Sequence, residues 1–456
     1  MRRRSGRVVP ILIVVAVLIG IPLVVVLVEA RRKGISPWEI VGQMFTRAAP
    51  TTTGLEGMSR SILPKGEPVD FLTPQPIGEK SERDRPPRIA HVCPVDLDRD
   101  GLLDILVCDC LNNRVSWIRQ HPRGVFTEIP LADVRAPAHA RAVDMNGDGK
   151  LDILVAAMGI LWTSNDKVGS VIILENDGQM KFKPHVLLDH VARVTDVSAG
   201  DLNGDGKLDL AVAQFGYDDG ETRWMENLGN WQFKSHVLQS LSGPINAEIV
   251  DMNGDGKLDI VTLVSQEWEE IYVFVNDGKG NFTPKMVHGS SNEDFGSSWI
   301  QVVDLDQDGK PDILYSNGDA FDYLPPRPRP WHGVQWLENQ GDLVFKPHRI
   351  ADFPGASSPQ AVDLTGSGHL DVVVVSGYNF WDKPEAQSIV WLENDGHMQF
   401  TLHDIASSPT HLVTLGVGDF DGSGKPDLVT GGLHVYPPYD RLGRVTLWKN
   451  RFQRKK

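Results

Sequence analysis

The chain has 456 residues but only three cysteines, Cys93, Cys108 and Cys110. Three cannot build a dense disulfide framework, and their spacing matches no zinc-ligand pattern. They are expected to be buried free thiols, since unpaired cysteine behaves as a small hydrophobe. Positive charge is also in short supply. Lys and Arg number 45 against 60 Asp and Glu, a net charge of −15. This excludes the basic surface that nucleic-acid binding requires, so no nucleic-acid partner is expected. No nucleophile motif, cofactor loop or zinc-ligand set is found, and none of the usual enzyme signatures is therefore at hand.

What the N-terminus does have is one long apolar run. Residues 8–28 carry no charge, and as a helix they would span roughly 31 Å, enough for a bilayer core. Arg2, Arg3, Arg4 and Arg7 precede the run, and Arg31, Arg32 and Lys33 follow it. The excess of positive charge before it orients the N-terminus inward. The expectation is a short cytoplasmic tail at 1–7, a single transmembrane signal-anchor at 8–28, and an extracytoplasmic body held at the cell membrane. The alternative is a cleaved signal peptide, with Val28 and Ala30 as the small residues at the cut, and a secreted body. Residues 29–68 show no periodicity and read as a stalk or linker.

The remainder repeats. The unit D-x-[DN]-x-D-G-x-x-D starts at Asp96, Asp144, Asp201, Asp251 and Asp304, with degenerate copies at Asp363 and Asp419. The mean period is about 54 residues, and a period of this size fixes an architecture. After each unit comes an apolar, β-prone run such as Ile105-Leu106-Val107 or Val372-Val373-Val374. A second marker follows, an apolar residue three before an amide: Trp117 and Gln120, Ile173 and Asn176, Trp224 and Asn227, Val273 and Asn276, Trp336 and Asn339, Trp391 and Asn394, Leu447 and Asn450. Asn176-Asp177-Gly178 and Asn394-Asp395-Gly396 are hairpin turns by composition. A last strand is led by Phe126, Phe182, Phe233, Phe282, Phe345 or Phe400. Each period thus holds four strands, and four-stranded antiparallel units repeated radially make a propeller. The predicted fold is all-β, a seven-bladed β-propeller over 69–456 preceded by a single N-terminal transmembrane helix. A linear β-solenoid would use shorter repeats.

The acidic units carry the chemistry. Positions 1, 3, 5 and 9 bear oxygen side chains, and position 6 is glycine in all seven copies. A hard cation such as Ca²⁺ takes six to eight oxygens, which alternate residues of a tight loop can supply. The glycine permits positive φ. The expected ligands are Asp96, Asp98, Asp100 and Asp104; Asp144, Asn146, Asp148 and Asp152; Asp201, Asn203, Asp205 and Asp209; Asp251, Asn253, Asp255 and Asp259; Asp304, Asp306, Asp308 and Asp312; Asp363 and Asp371; and Asp419, Asp421 and Asp427. The units at Asp96 and Asp304, with four carboxylates, are expected to bind tightest. The unit at Asp363, with Thr365 and Ser367, is expected to bind weakest, and replacing Asp371 to change calcium binding little. An EF-hand is excluded: position 12 of the second unit is Val155, and strands flank it. A metal-free Asp/Asn/Gly turn is the plain alternative.

These residues also carry a family resemblance. Asp-Met-Asn-Gly-Asp-Gly-Lys-Leu-Asp at 144–152 resembles the calcium loop of FG-GAP and VCBS-like repeats, known from integrin α-subunit propellers. Trp391-Leu392-Glu393-Asn394-Asp395-Gly396 resembles the third-strand signature of bacterial members. The resemblance implies a calcium-binding propeller over about 87–456 and says little about activity, since function is grafted onto folds.

The acidic loops join first to second strands and share one face. The loops joining second to third strands lie on the other, and they are long and aromatic. Trp162, Tyr217, Trp268, Tyr323, Trp331, His332, Trp381, Tyr436 and Tyr439 are the candidate ligand-binding residues there, with Phe321, Tyr378 and Phe380 nearby. Exposed aromatics on a concave face suit a glycan or protein ligand; the plain alternative is that they pack among themselves beneath the long loops. The reading is a binding or scaffold module. The alternative is a propeller-type carbohydrate-active enzyme, similar to polysaccharide lyases, built on His332 with Asp319, Asp322 and Tyr323. Histidines 185, 236, 348 and 403 recur at one place in the last strand, and a repeated position points to structure.

The seventh blade stops at its third strand, leaving an edge open. Phe71 is followed by Leu72 and Ile77 much as Phe182 is followed by Leu187 and Phe400 by Ile405. Phe71 lies 25 residues before Asp96, whereas Phe126 lies 18 before Asp144, so a short insertion is needed. Residues of about 69–78 are therefore expected to complete the last blade.

Overall fold

The computed structural model describes residues 63–453, apart from 163, 267, 293 and 322–325. The tail expected at 1–7, the membrane segment expected at 8–28 and most of the expected stalk lie outside the described residues. Among those described there are 28 strands and no helix.

Blade 1 shows the plan. Its strands run Ile89–Val95, Asp104–Asp109, Arg114–Gln120 and Phe126–Asp133, each antiparallel to the one before. The second strand, with Ile105, Leu106 and Val107 at its heart, is buried along its whole length. Apolar and β-branched side chains fill both of its faces because a neighbouring blade covers each. The outer strand has its exposed residues toward solvent and a polar composition to match. Five further blades repeat this order, with inner strands Pro137–Val143, Arg193–Gly200, Pro244–Val250, Ser297–Val303 and Ala356–Val362. The core lies between blades. Leu97, Leu106 and Trp117 of blade 1, for example, pack with Ala140, Ile153 and Leu174 of blade 2.

Blade 7 takes strands from both ends of the chain. Leu412–Gly418, Asp427–Gly432 and Val445–Asn450 are its first three. The fourth is Leu72–Ile77, antiparallel to Val445–Asn450, with Leu72 opposite Asn450 and Ile77 opposite Val445. The pairing read from Phe71, Leu72 and Ile77 is thus present. Phe71 packs edge-on against Trp391 of blade 6 and against Phe452.

The attachment starts earlier than the sequence pattern suggested. The stretch before Phe71 runs beside the outer strand of blade 6, Phe400–Ala406. Gly66 N–H donates to Leu402 O (2.9 Å), Leu402 N–H to Pro64 O (2.9 Å) and Val69 N–H to Asp404 O (2.8 Å). Lys65 pairs with Asp404 at 2.7 Å. The N-terminal segment therefore straps blade 6 to blade 7.

All seven inner strands are irregular near their starts, with register shifts at positions such as Ile89/His91, Pro137/His139 and Ser297/Trp299. Bulges re-aim side chains, and here they bring large polar groups into the central channel.

Candidate functional site

The acidic loops all adopt one conformation. In the unit at Asp144, the Asp144 carboxylate accepts from Asp148 N–H (3.0 Å) and Gly149 N–H (2.9 Å), and Asn146 Oδ1 accepts from Asp148 N–H (2.9 Å). Gly149 has φ 86°, and the six equivalent glycines are positive too. Position 4 is also left-handed throughout, which sequence reasoning missed. Five copies have glycine there, a legible signal, but Arg99 (φ 58°) and Gln307 (φ 62°) adopt it as well.

The position-9 aspartates, Asp104, Asp152, Asp209, Asp259, Asp312, Asp371 and Asp427, are buried to within 1%. Each anchors its loop. Asp312 Oδ2 accepts from Leu305 N–H (3.1 Å) and its Oδ1 from Asn339 N–H (2.8 Å). Burial raises the carboxyls of Asp104, Asp312 and Asp371 to a pKa of about 6. The amide marker is the hub. Asn339 Nδ2 donates to Pro311 O (2.9 Å) in its own loop and to Met252 O (3.3 Å) in the loop of the preceding blade. Asn276 and Asn450 bridge in the same way, to Leu202 and Leu364. Neighbouring loops are thereby fixed to one another.

Three loops bring three carboxylates together with an oxygen of each within 4.8 Å of the others: Asp96, Asp98 and Asp104; Asp304, Asp306 and Asp308; Asp419, Asp421 and Asp427. In the units at Asp144, Asp201 and Asp251 an asparagine stands at position 3. Oδ1 of Asp96 and Oδ1 of Asp98 are both buried with no hydrogen-bond partner. Buried, unpartnered carboxylate oxygens facing a common point are what a hard cation would satisfy, so the residues present fit such an ion. Cations of the chain itself also reach the loops. Arg119 pairs with Asp98 at 2.6 Å, Arg451 with Asp421 at 2.9 Å, and Lys150 with Asp148 at 3.0 Å. The Lys207–Asp205, Lys257–Asp255 and Lys310–Asp308 pairs repeat the last arrangement. Hydrogen bonds from these lysines hold the position-5 carboxylates below their ordinary range against an opposing effect of burial, which at Asp255 is the largest single contribution. Asp100 faces His121 at 3.1 Å. The unit at Asp363 has only Asp363 and Asp371 as carboxylates, and Ser367 takes the position-5 place.

On the opposite face a bowl of about 630 Å³ lies on the propeller axis, lined by all seven blades. Of the aromatic candidates, Trp162, Tyr217 and Tyr436 line it, together with Phe321 and Tyr378. Trp162 is 41% exposed and meets Tyr436 edge-on. Trp268, Trp331, Trp381 and Tyr439 are half-buried outside it. Trp331 Nε1–H donates to Asp294 O, and Trp381 packs on His411. Tyr323 and Asp322 lie outside the described residues. His332 is only 1% exposed, and its Nδ1 accepts from the backbone of Arg329 and Gly355. Burial lowers its pKa to about 3, so it is a neutral acceptor inside the loop layer. Asp319 does line the bowl.

Among the lining residues that the sequence does not single out are Arg193, Phe215 and Trp299. These three come from strands, not loops. Trp299 forms the floor, stacked on His91 and beside His139. Beneath it His139 pairs with Asp196 at 2.9 Å and Arg141 with Glu248 at 2.7 Å. These polar groups come from three blades: His139 and Arg141 from blade 2, Asp196 from blade 3 and Glu248 from blade 4. The histidines at 185, 236, 348 and 403 are structural in geometry: the last three stack on Trp224, Trp336 and Trp391 at 4.5 Å, and each of the four meets a glutamate. The three cysteines are unpaired, with Cys108 and Cys110 buried and Cys93 half-buried.

A family model described as FG-GAP-like repeat matches residues 96–155, 158–212, 201–262, 251–315 and 363–430. No curated protein sequence matches the chain. Among solved structures, the crystal structure of BBS1N in complex with ARL6DN is similar at a TM-score of 0.51 and 12% identity, over 86% of this chain and 98% of that one. The crystal structure of the V. cholerae biofilm matrix protein Bap1 aligns at a TM-score of 0.40 and 13% identity, over 83% and 91%. At such identity the first likeness concerns the fold alone.

Proposed function

The chain belongs to the FG-GAP-like repeat family, and on that premise we propose that it is a calcium-binding propeller that serves as a binding or scaffold module outside the cytoplasm. One observation carries the calcium reading: Asp96 and Asp98 each bury an unpartnered carboxylate oxygen within a three-carboxylate group. Calcium bound there would tie the loop into one rigid unit. The position-1, position-3 and position-5 side chains, with the position-9 anchor, would hold it. The aromatic bowl on the opposite face receives a glycan or protein ligand, since a concave apolar site with a few convergent polar groups is the usual form of a ligand site. The charge-free run at 8–28 supports a membrane tether.

Counting calcium per chain by elemental analysis, after gel filtration in micromolar calcium, tests the reading. Retention of several ions is expected. A chain that retains none would contradict it. Protease added to intact cells should cut the propeller, and protection of the propeller would contradict the placement.

A further inference from the structure

Arg193 opens the inner strand of blade 3 and lines the bowl. It is 5% exposed. Its Nη1 donates only to Leu161 O (3.4 Å) and Trp162 O (3.3 Å), both long. Its Nε is sealed without a partner. Among the described residues no carboxylate lies within ion-pair distance of it; Asp319 and Tyr217 act on it only through charge at longer range, and the Phe215 ring lies 4.5 Å from it. The other buried arginine among the described residues, Arg444, holds Glu128 and Asp109. A buried guanidinium that no carboxylate contacts directly is costly, and it is the natural fork for a planar carboxylate.

We propose that the bowl binds a carboxylate-bearing sugar, a uronic acid unit of an acidic polysaccharide, with Arg193 as the anion anchor. The inference rests on the glycan reading of this face and names its chemical class. The other lining groups fit. Trp162, Tyr217 and Tyr436 line the bowl together with Thr195, Ser297 and Ser357. Aromatic rings beside hydroxyls suit a pyranose, which is apolar on its faces and polar at its edge. Asp319 also lines the bowl and acts on Arg193 through charge without pairing with it, so the guanidinium fork stays open to a ligand carboxylate. On a chain of net charge −15, an anion would be held by this local group and not by the overall field.

The test uses the full chain at one fixed free calcium concentration, because uronates themselves bind calcium. The probes are a short oligogalacturonate, its carboxyl-reduced neutral counterpart and a polyglutamate peptide, and titration calorimetry reads the affinities. The oligogalacturonate is expected to bind at least about tenfold more tightly than the neutral sugar. R193Q should remove that advantage, and Trp162→Ala should weaken both sugars. Should R193Q fail to fold, Arg193→Lys keeps the charge without the fork and should lose part of the advantage. Equal binding of acidic and neutral sugars, or an R193Q variant that keeps the preference, would overturn the anion anchor and leave the glycan reading standing. Binding of neither sugar would end both. Preferential binding of polyglutamate would assign the face to acidic peptides and overturn the sugar proposal.

Discussion

Arg444, in the last blade, donates from Nη2 to Glu128 Oε1 in the first blade at 2.7 Å. The same nitrogen reaches Asp109 Oδ2 at 2.9 Å. Glu128 also accepts from Glu79 N–H (2.8 Å), just past the strand that completes blade 7. Three parts of the chain, far apart in sequence, therefore meet on one buried carboxylate. The ring is closed twice, by backbone pairing at Leu72–Ile77 and by this ion cluster. Arg444→Ala leaves Asp109 buried without its cation and Glu128 with only the longer contact from Arg114 (3.4 Å), and breaking such a group costs about 3–5 kcal/mol. A marked fall in melting temperature is expected. An unchanged melt would show that the cluster is not part of the closure.

Leu72 is 7% exposed and packs with Trp391, Leu412 and Trp448. Leu72→Ala should cost about 2–5 kcal/mol, the range for a buried leucine. Because this strand holds both ends of the ring, the whole propeller should unfold in one transition at lower denaturant. A loss under about 0.5 kcal/mol, the scale of ordinary surface substitutions, would mean that the strand is dispensable.

The structure changes what is expected of Asp371. From the sequence its replacement should matter little for calcium. Its carboxylate, however, accepts from Leu364 N–H (3.3 Å) and Asn394 N–H (2.9 Å) in the interior. Asp371→Ala strands both donors and should cost about 1–3 kcal/mol, equally with and without calcium. Asp308→Ala should do the opposite. Asp308 is half-exposed and belongs to a three-carboxylate group, so its loss should show in the calcium titration and hardly at all in the metal-free melt. Equal behaviour of the two variants would contradict this division.

The pH dependence follows from the position-9 anchors. Burial holds Asp104 and Asp312 at a pKa of about 6 in the folded chain. A raised folded pKa means the native state binds more protons than the unfolded state between the ordinary carboxylate range and pH 6. In the metal-free protein this contribution to stability is present at low pH and is lost as pH rises through about 6. Calcium needs the ionised form and competes with those protons. The calcium-induced rise in melting temperature should therefore be full at about pH 7.5 and much smaller at about pH 5. A larger rise at the lower pH would contradict the assignment of these aspartates to the calcium loops.

The sequence reads well wherever side chains repeat. The seven starts from Asp96 to Asp419 give the blade number, and Phe71, Leu72 and Ile77 give the closing strand. It reads poorly where contact is made by backbone alone. Gly66 and Pro64 join blade 6 through their amide and carbonyl, which leaves no pattern in side chains, so this stretch resembles a linker. Convergence on the axis is equally silent. Arg193, Phe215 and Trp299 are ordinary strand residues along the chain, and they face one bowl only because the ring closes. Aromatic residues in loops are equally ambiguous along the chain: Trp331 and Trp381 make contacts within the loop layer.

The central claim, calcium held by the acidic loops of the folded ring, is tested most directly by melting the purified chain in excess calcium and in excess chelator, with magnesium as control. A ligand bound only by the native state raises stability by mass action, about 2.7 kcal/mol at a hundredfold excess over its dissociation constant. The melting temperature should rise by several degrees in calcium, stay low in chelator and respond little to magnesium. Superimposable melts in calcium and in chelator would contradict the account.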